Sequence, residues 1–368
     1  MDRRLEELDG LRTVAIAIVA LYHYAVFWAP AGRGLPLLPY GDALAWIPVH
    51  TLGGVGVSLF FVISGLVIAI SLERARGLRH FAMLRAIRLW PGFLVCGALT
   101  VAATWALGPQ ELQRGWAEAA VSLLFLPPEH VGAALGIAGW EWLDGAYWSL
   151  WVEVRFYAVA ALIFLGTGRL LEGWLVFALV GLFVHAAALS GHAGADALGG
   201  LLFAEHHPYF TAGIALACLV RGRTPWLARA VLVLAAGQAL IYARADGADT
   251  IRMTCEIAIL LFAVTAALAP RLLPWLRARP MVAMGQASYP FYLLHQNFGL
   301  ALLLALPVMP APLSVAAAIV VLAGIAVLSL ALHFGLERPL GRALRRRLLR
   351  PAAASATDTG QPRPVPAE

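Results

Sequence analysis

Two histidines, one glutamate and a few arginines stand out in a chain that is otherwise overwhelmingly apolar. Arg12 and His23 lie eleven residues apart. On a helix that separation is close to three full turns, so both side chains leave one face, about 16 Å apart along the axis. An imidazole can take a proton from a hydroxyl near neutral pH, or attack a carbonyl carbon itself. His23 is the candidate for either role. The plainer alternatives are a helix-packing hydrogen bond for His23 and a snorkelling interface cation for Arg12. Arg85 and Arg88, at i and i+3, form a one-faced pair suited to clamping phosphate, although topology charge accounts for them as well.

Ser149, Glu153 and Tyr157 follow one another at i+4 and share a face. Glu153 falls within an apolar segment near its outer edge, where a charged group is costly and faces a cavity or a partner. Arg155 is a poor partner for it, because near neighbours on a helix do not face each other. Tyr289, Tyr292 and His295 make a further stripe at i+3 beside Pro290, and His295 brings a second imidazole to membrane depth. Together these groups predict a polar cavity crossing a membrane.

The elements that must carry them are helices in lipid. The 368 residues are 61% hydrophobic and 13% charged, about half the charge of a soluble domain. The apolar residues come in blocks of about 17 to 25, the length of a bilayer-spanning helix. The fold class expected is therefore all-α, a polytopic transmembrane helical bundle. Ten spans are predicted, at 11–28, 51–72, 89–107, 150–168, 173–190, 200–220, 226–243, 253–269, 285–306 and 312–335. The apolar stretch 117–127, which ends at Pro127 and Pro128, is too short to span and is expected to lie at the interface or re-enter it. Ten spans place both termini in the cytoplasm. The inner loops then hold Arg74, Arg76, Arg79, Arg85 and Arg88; Arg169; Arg221 and Arg223; Arg271, Arg277 and Arg279; and the run Arg342 to Arg350. The outer loops hold Arg33, Arg114, Arg244 and Arg252, an asymmetry that follows the positive-inside rule.

All 27 basic residues are Arg and the formal net charge is +6. Because the arginines sit at the ends of apolar blocks, the pattern is that of a membrane protein, with no nucleic-acid partner. Cys96, Cys218 and Cys255 form no CxxC pair, so neither a disulfide framework nor a metal site is predicted. Arg3 and Arg4 precede an apolar run, but His23 and two tyrosines interrupt it and many spans follow, so it is not a leader peptide. The long outer loop 108–149 carries Trp116, Trp140, Trp142 and Trp148, residues that favour a membrane interface. Residues 1–340 are assigned to one membrane domain, and 341–368 to a tail that is basic and then, from Pro351, small, polar and expected to be disordered.

In order and spacing these segments resemble the acyltransferase 3 family of integral-membrane acyltransferases. The resemblance rests on Leu8-Asp9-Gly10-Leu11-Arg12 with His23, on Val57 to Gly65, on Arg85 to Pro91, on Trp148-Ser149-Leu150 with Glu153, Phe156 and Tyr157, on Ser288-Tyr289 with Tyr292-Leu293 and His295, and on Glu337-Arg338-Pro339. Val154, Arg155 and Pro290 depart from it. It implies an enzyme of a bacterial inner membrane that moves an acyl group, acetyl by default, from acyl-CoA to an alcohol. The acceptor would be a surface or exported glycan, a lipid-linked sugar or a secondary metabolite, and acyl-CoA would be a co-substrate with no bound cofactor. It implies His23 and Glu153 as catalytic residues, and Arg12, Arg85, Arg88, Ser149, Tyr157, Tyr292 and His295 as groups that bind donor or substrate. The competing class is a transporter of a glycan or lipid, using the same polar residues as a permeation path. The sequence carries no signal for an oligomer.

Overall fold

The computed structural model describes residues 3–32, 34–47 and 53–349. Arg33, the first two residues of the expected 51–72 span, Arg350 and the tail from Pro351 lie outside the described residues. The elements in chain order are α1 (Arg3–Tyr22), continued by a π turn (His23–Phe27); α2 (Val55–Glu73); α3 (Leu78–Ala106); the short α4 (Trp116–Leu123) and α5 (Pro128–Ala134); α6 (Trp148–Thr167); α7 (Leu170–Leu189); the short α8 (Ala195–Leu201); α9 (His207–Val220); α10 (Pro225–Ala245); α11 (Thr250–Leu268); three short helices α12 (Arg279–Gln286), α13 (Ser288–Leu294) and α14 (Asn297–Leu304); and α15 (Ala311–Leu332), which passes through a second π turn (His333–Glu337) into α16 (Arg338–Leu348). No strand occurs among the described residues. The chain is an all-helical, multi-pass membrane protein.

Eight helical runs among the described residues are long and apolar enough to cross a membrane. They coincide with eight of the ten predicted spans. The other two differ in form. The run expected at 200–220 contains only the 14-residue α9, because Phe203 takes a left-handed φ of 46° and Pro208 sits in the first turn. The run expected at 285–306 is broken twice, between α12 and α13 and again at His295 and Gln296. The stretch 117–127 holds the eight-residue α4 and a turn at Phe125 with φ 59°.

A break in an apolar run frees backbone groups that lipid cannot satisfy, so the protein itself must supply their partners. Residues 143–147 do so. The Asn297 N–H donates to Asp144 at 2.7 Å, and the Asn297 side chain donates to the Leu143 carbonyl at 3.1 Å. The Tyr147 hydroxyl donates to the Leu293 carbonyl at 3.2 Å, and the Tyr24 hydroxyl to the His295 carbonyl at 2.8 Å. Asp144 and His295 are fully buried.

Of the eight membrane-length runs α2 is the most enclosed, and its Val55, Val57, Leu59, Phe61, Val62, Ile63 and Leu66 are buried against α1, α6, α9 and α11. Its glycines let helices approach closely. A Cβ on Gly56 would come within 2.8 Å of the Ala15 carbonyl oxygen, and one on Gly65 within 3.1 Å of the Gly213 Cα. At its N-terminal end α1 is tied down by the Glu7–Arg277 ion pair, in which the carboxylate is buried.

Candidate active site

Seven of the nine residues singled out from the sequence line one cavity of about 240 Å³: Arg12, Arg85, Arg88, Ser149, Glu153, Tyr157 and Tyr292. The cavity lies between α1, α2, α3, α6 and α13, and Arg345 of α16 joins its wall. Its arginines are reachable from outside the bundle, since the Arg12 and Arg88 side chains are 26% and 36% exposed. Apolar walls from Val57, Ile63, Val67, Ile68, Leu89 and Leu150 lead away from them.

The i+4 stripe on α6 forms as expected. Glu153 accepts a hydrogen bond from the Ser64 hydroxyl of α2 at 2.7 Å and a very short one from Tyr157, one turn further on. The Arg85 guanidinium lies over the Tyr157 ring, 5.8 Å from its centre. Glu153 is thus linked through Tyr157 toward the arginines. Arg155 is no partner of Glu153. It donates to the Gly200 and Leu201 carbonyls at 2.8 and 3.2 Å, and it packs over Trp151 and Phe203. Arg85 and Arg88 lie inside α3, which starts at Leu78, and not in the loop before it. Pro91 removes only one hydrogen bond from this helix and does not end it.

At the opposite end Ser149 and Tyr292 join hydroxyls at 2.7 Å, and Tyr292 also donates to the Ala146 carbonyl at 2.8 Å. Beyond Tyr292 lie the two imidazoles. Neither His23 nor His295 lines this cavity. The rings follow in series: Tyr292 to His295 with centres 5.5 Å apart, then His295 to His23 at 5.0 Å. His23 is half-buried, at the junction of α1 with its π turn, among Tyr22, Phe27 and His295. Such irregular turns are frequent at functional sites. Arg12 and His23 therefore leave one helix but not into one chamber.

The hydrogen bonds assign the protons on this pair. A carbonyl only accepts, so His295 carries its proton on Nδ1, 2.7 Å from the Tyr292 carbonyl, and its Nε2 is a bare acceptor. His23 Nδ1 lies 2.9 Å from the Val19 carbonyl and 3.2 Å from His295 Nε2, two acceptors, so Nδ1 is the donor. The lone pair of His23 is therefore left on Nε2. This is a neutral imidazole held in one tautomer with its basic nitrogen free, the arrangement proton abstraction or nucleophilic attack needs.

Three participants escaped the sequence reading. Asp144 fixes the break beside His295 and gave no signal beyond its place before Gly145. Ser64 is the partner of Glu153 and lay within the Val57 to Gly65 segment without being assigned a role. Arg345 was counted only as topology charge, although Arg338, Arg342 and Arg345 at i, i+4 and i+7 form a stripe visible in the sequence. No cluster of His, Cys, Asp and Glu able to hold a metal occurs among the described residues.

The family model for an acyltransferase domain matches residues 5–333. The chain belongs to this family and is a membrane acyltransferase, which sets the transporter reading aside. Comparisons with curated proteins and with solved structures gave no match.

Proposed function

We propose that this enzyme carries an acyl group, acetyl by default, from acyl-CoA to a hydroxyl of a surface or exported glycan, a lipid-linked sugar or a secondary metabolite. We place it in a bacterial inner membrane with both termini cytoplasmic. The observation that carries the reading is the polarity of the site. Arginines crowd one mouth, and the Ser149 and Tyr292 hydroxyls lie at the other end with apolar walls between, while the imidazoles stand behind Tyr292, outside the cavity. An acyl-CoA has the matching shape, with phosphates at one end and a thioester at the end of a long arm. Arg85, Arg88 and Arg12 hold the phosphate end, and the arm lies along Val57, Ile63 and Leu150 toward Ser149.

In the chemical step His23 Nε2 takes the proton of the acceptor hydroxyl. The oxygen attacks the thioester carbonyl, and the C–S bond breaks to release coenzyme A as a thiolate, which takes the proton back from the His23 imidazolium. His295 accepts from His23 Nδ1 and keeps that ring turned. The Ser149 hydroxyl, 2.7 Å from Tyr292, turns its proton to the thioester oxygen as it gains charge, and the Tyr292 hydroxyl stays on the Ala146 carbonyl. Glu153 orders the middle of the cavity through Ser64 and Tyr157. Because Tyr292 stands between the cavity and the imidazole pair, its rotation joins donor to acceptor. The test is donor consumption by protein purified in detergent, together with mass analysis of surface glycans and extractable small molecules from a strain lacking the chain. Loss of one acyl mass from a hydroxylated product, with release of coenzyme A in vitro, is the expected result. A purified protein that binds the product but never consumes acyl-CoA refutes it.

A further inference from the structure

A second cavity of about 280 Å³ adjoins the first and shares Arg12, Arg88 and Arg345 with it. Its distinct wall is α16. Arg338, Arg342 and Arg345 all line it, and their spacing of four and then three residues puts them on one helical face. Below them are Asp9, Gln286, His333 and Glu337.

The carboxylates in this cavity are already engaged. Asp9 accepts from Arg12 at 2.7 Å and from the Gln286 amide at 3.2 Å. Glu337 is bonded to His333 at 2.9 Å and lies 3.8 Å from Arg88. Among the described residues, Arg338, Arg342 and Arg345 have no carboxylate within ion-pair distance. The Arg338 guanidinium lies 6.0 Å from the Phe334 ring centre. Five guanidinium groups against two engaged carboxylates leave a site with surplus positive charge, and Arg presents forked donors that match phosphate oxygens. Arginines that serve only as topology charge turn out to headgroups, whereas this stripe faces a cavity continuous with the one assigned to the donor.

We propose that α16 binds the phosphorylated nucleotide end of the donor, with Arg338, Arg342 and Arg345 as its phosphate ligands. This rests on the reading that the donor is acyl-CoA. The family match ends at residue 333; Arg338 belongs to the Glu337-Arg338-Pro339 segment that resembles the family, whereas Arg342 and Arg345 of the same helix lie beyond it.

The test is calorimetric binding of coenzyme A and of 3′-dephospho-coenzyme A to the full chain in neutral detergent. The proteins compared are the wild type, the double variant Arg338→Gln with Arg342→Gln, and Arg347→Gln, a change in the same helix at a residue that lines neither cavity. The substituted residues are exposed, so the fold tolerates their replacement. The double variant is expected to bind coenzyme A at least tenfold more weakly and to lose most of the preference over the dephospho form, while Arg347→Gln matches the wild type. Unchanged affinity in the double variant overturns the proposal and leaves the donor reading standing. Equal weakening by Arg347→Gln also overturns it, since a diffuse charge serving anionic lipid behaves that way. No binding of coenzyme A by the wild type brings down the donor reading itself.

Discussion

His23→Asn separates the chemistry of His23 from its place in the fold. An asparagine side chain sets its amide nitrogen close to where Nδ1 stands, so the 2.9 Å bond to the Val19 carbonyl is retained. The lone pair on Nε2 is lost. A positioned general base contributes about 10²–10⁴ in rate, which at about 1.36 kcal/mol per decade raises the barrier by about 2.7–5.4 kcal/mol. The ring also touches Tyr22, Phe27 and His295. At about 0.5 kcal/mol each for a half-exposed ring, their loss costs about 1.5 kcal/mol of stability. The assay is the initial rate of acyl transfer in membranes of a strain that lacks the chain and is complemented with the variant, alongside thermal unfolding of the purified protein. A variant that stays folded and keeps more than about a tenth of the rate refutes the role of His23 as base.

Glu153→Gln keeps the Oε1 acceptor of the Ser64 and Tyr157 hydroxyls but removes the negative charge from the middle of the cavity. The rate should fall at least tenfold with abundance unchanged, as read by kcat, and an unaltered kcat refutes the ordering role. Asp144→Ala strands two buried N–H groups, those of Ala146 at 2.9 Å and Asn297 at 2.7 Å. At about 1–3 kcal/mol for each, the loss is about 2–6 kcal/mol, and Asp144→Asn should recover part of it in a detergent melting series. Gly213→Val drives a side chain into the α2 backbone at Val62 and Gly65 and should abolish accumulation in the membrane. Gly237→Ala, with open space around it, should be neutral or raise stability by up to about 1 kcal/mol.

The helices themselves were readable because lipid leaves a chain few options, and the i+4 stripe of Ser149, Glu153 and Tyr157 follows from helical spacing alone. The two breaks near His295 were not readable. A run of apolar residues has the same composition whether it is continuous or interrupted, and what permits the interruption is Asp144 with Leu143, about 150 residues away in the chain. The same limit hid the separation of His23 from the cavity that Arg12 enters. Helical phase places both on one face of α1, but which chamber each meets depends on where Tyr292 and His295 stand. Arg85 and Arg88 were assigned to a loop because the apolar run begins only at residue 89, although the helix starts at Leu78 and continues through Pro91. Inside lipid the cost of its one missing bond is outweighed by the rest of the helix.

The file of rings from Tyr292 through His295 to His23 bears on the energetics of the host membrane. Polar groups enter the bundle from two sides, and water continuous between them would let protons leak. One elementary charge crossing 100 mV dissipates about 2.3 kcal/mol. With Tyr292, His295 and His23 packed tilted and edge to face, side chains fill the space between the arginine-lined cavity and the His23 ring, and the bilayer around the bundle can stay electrically tight.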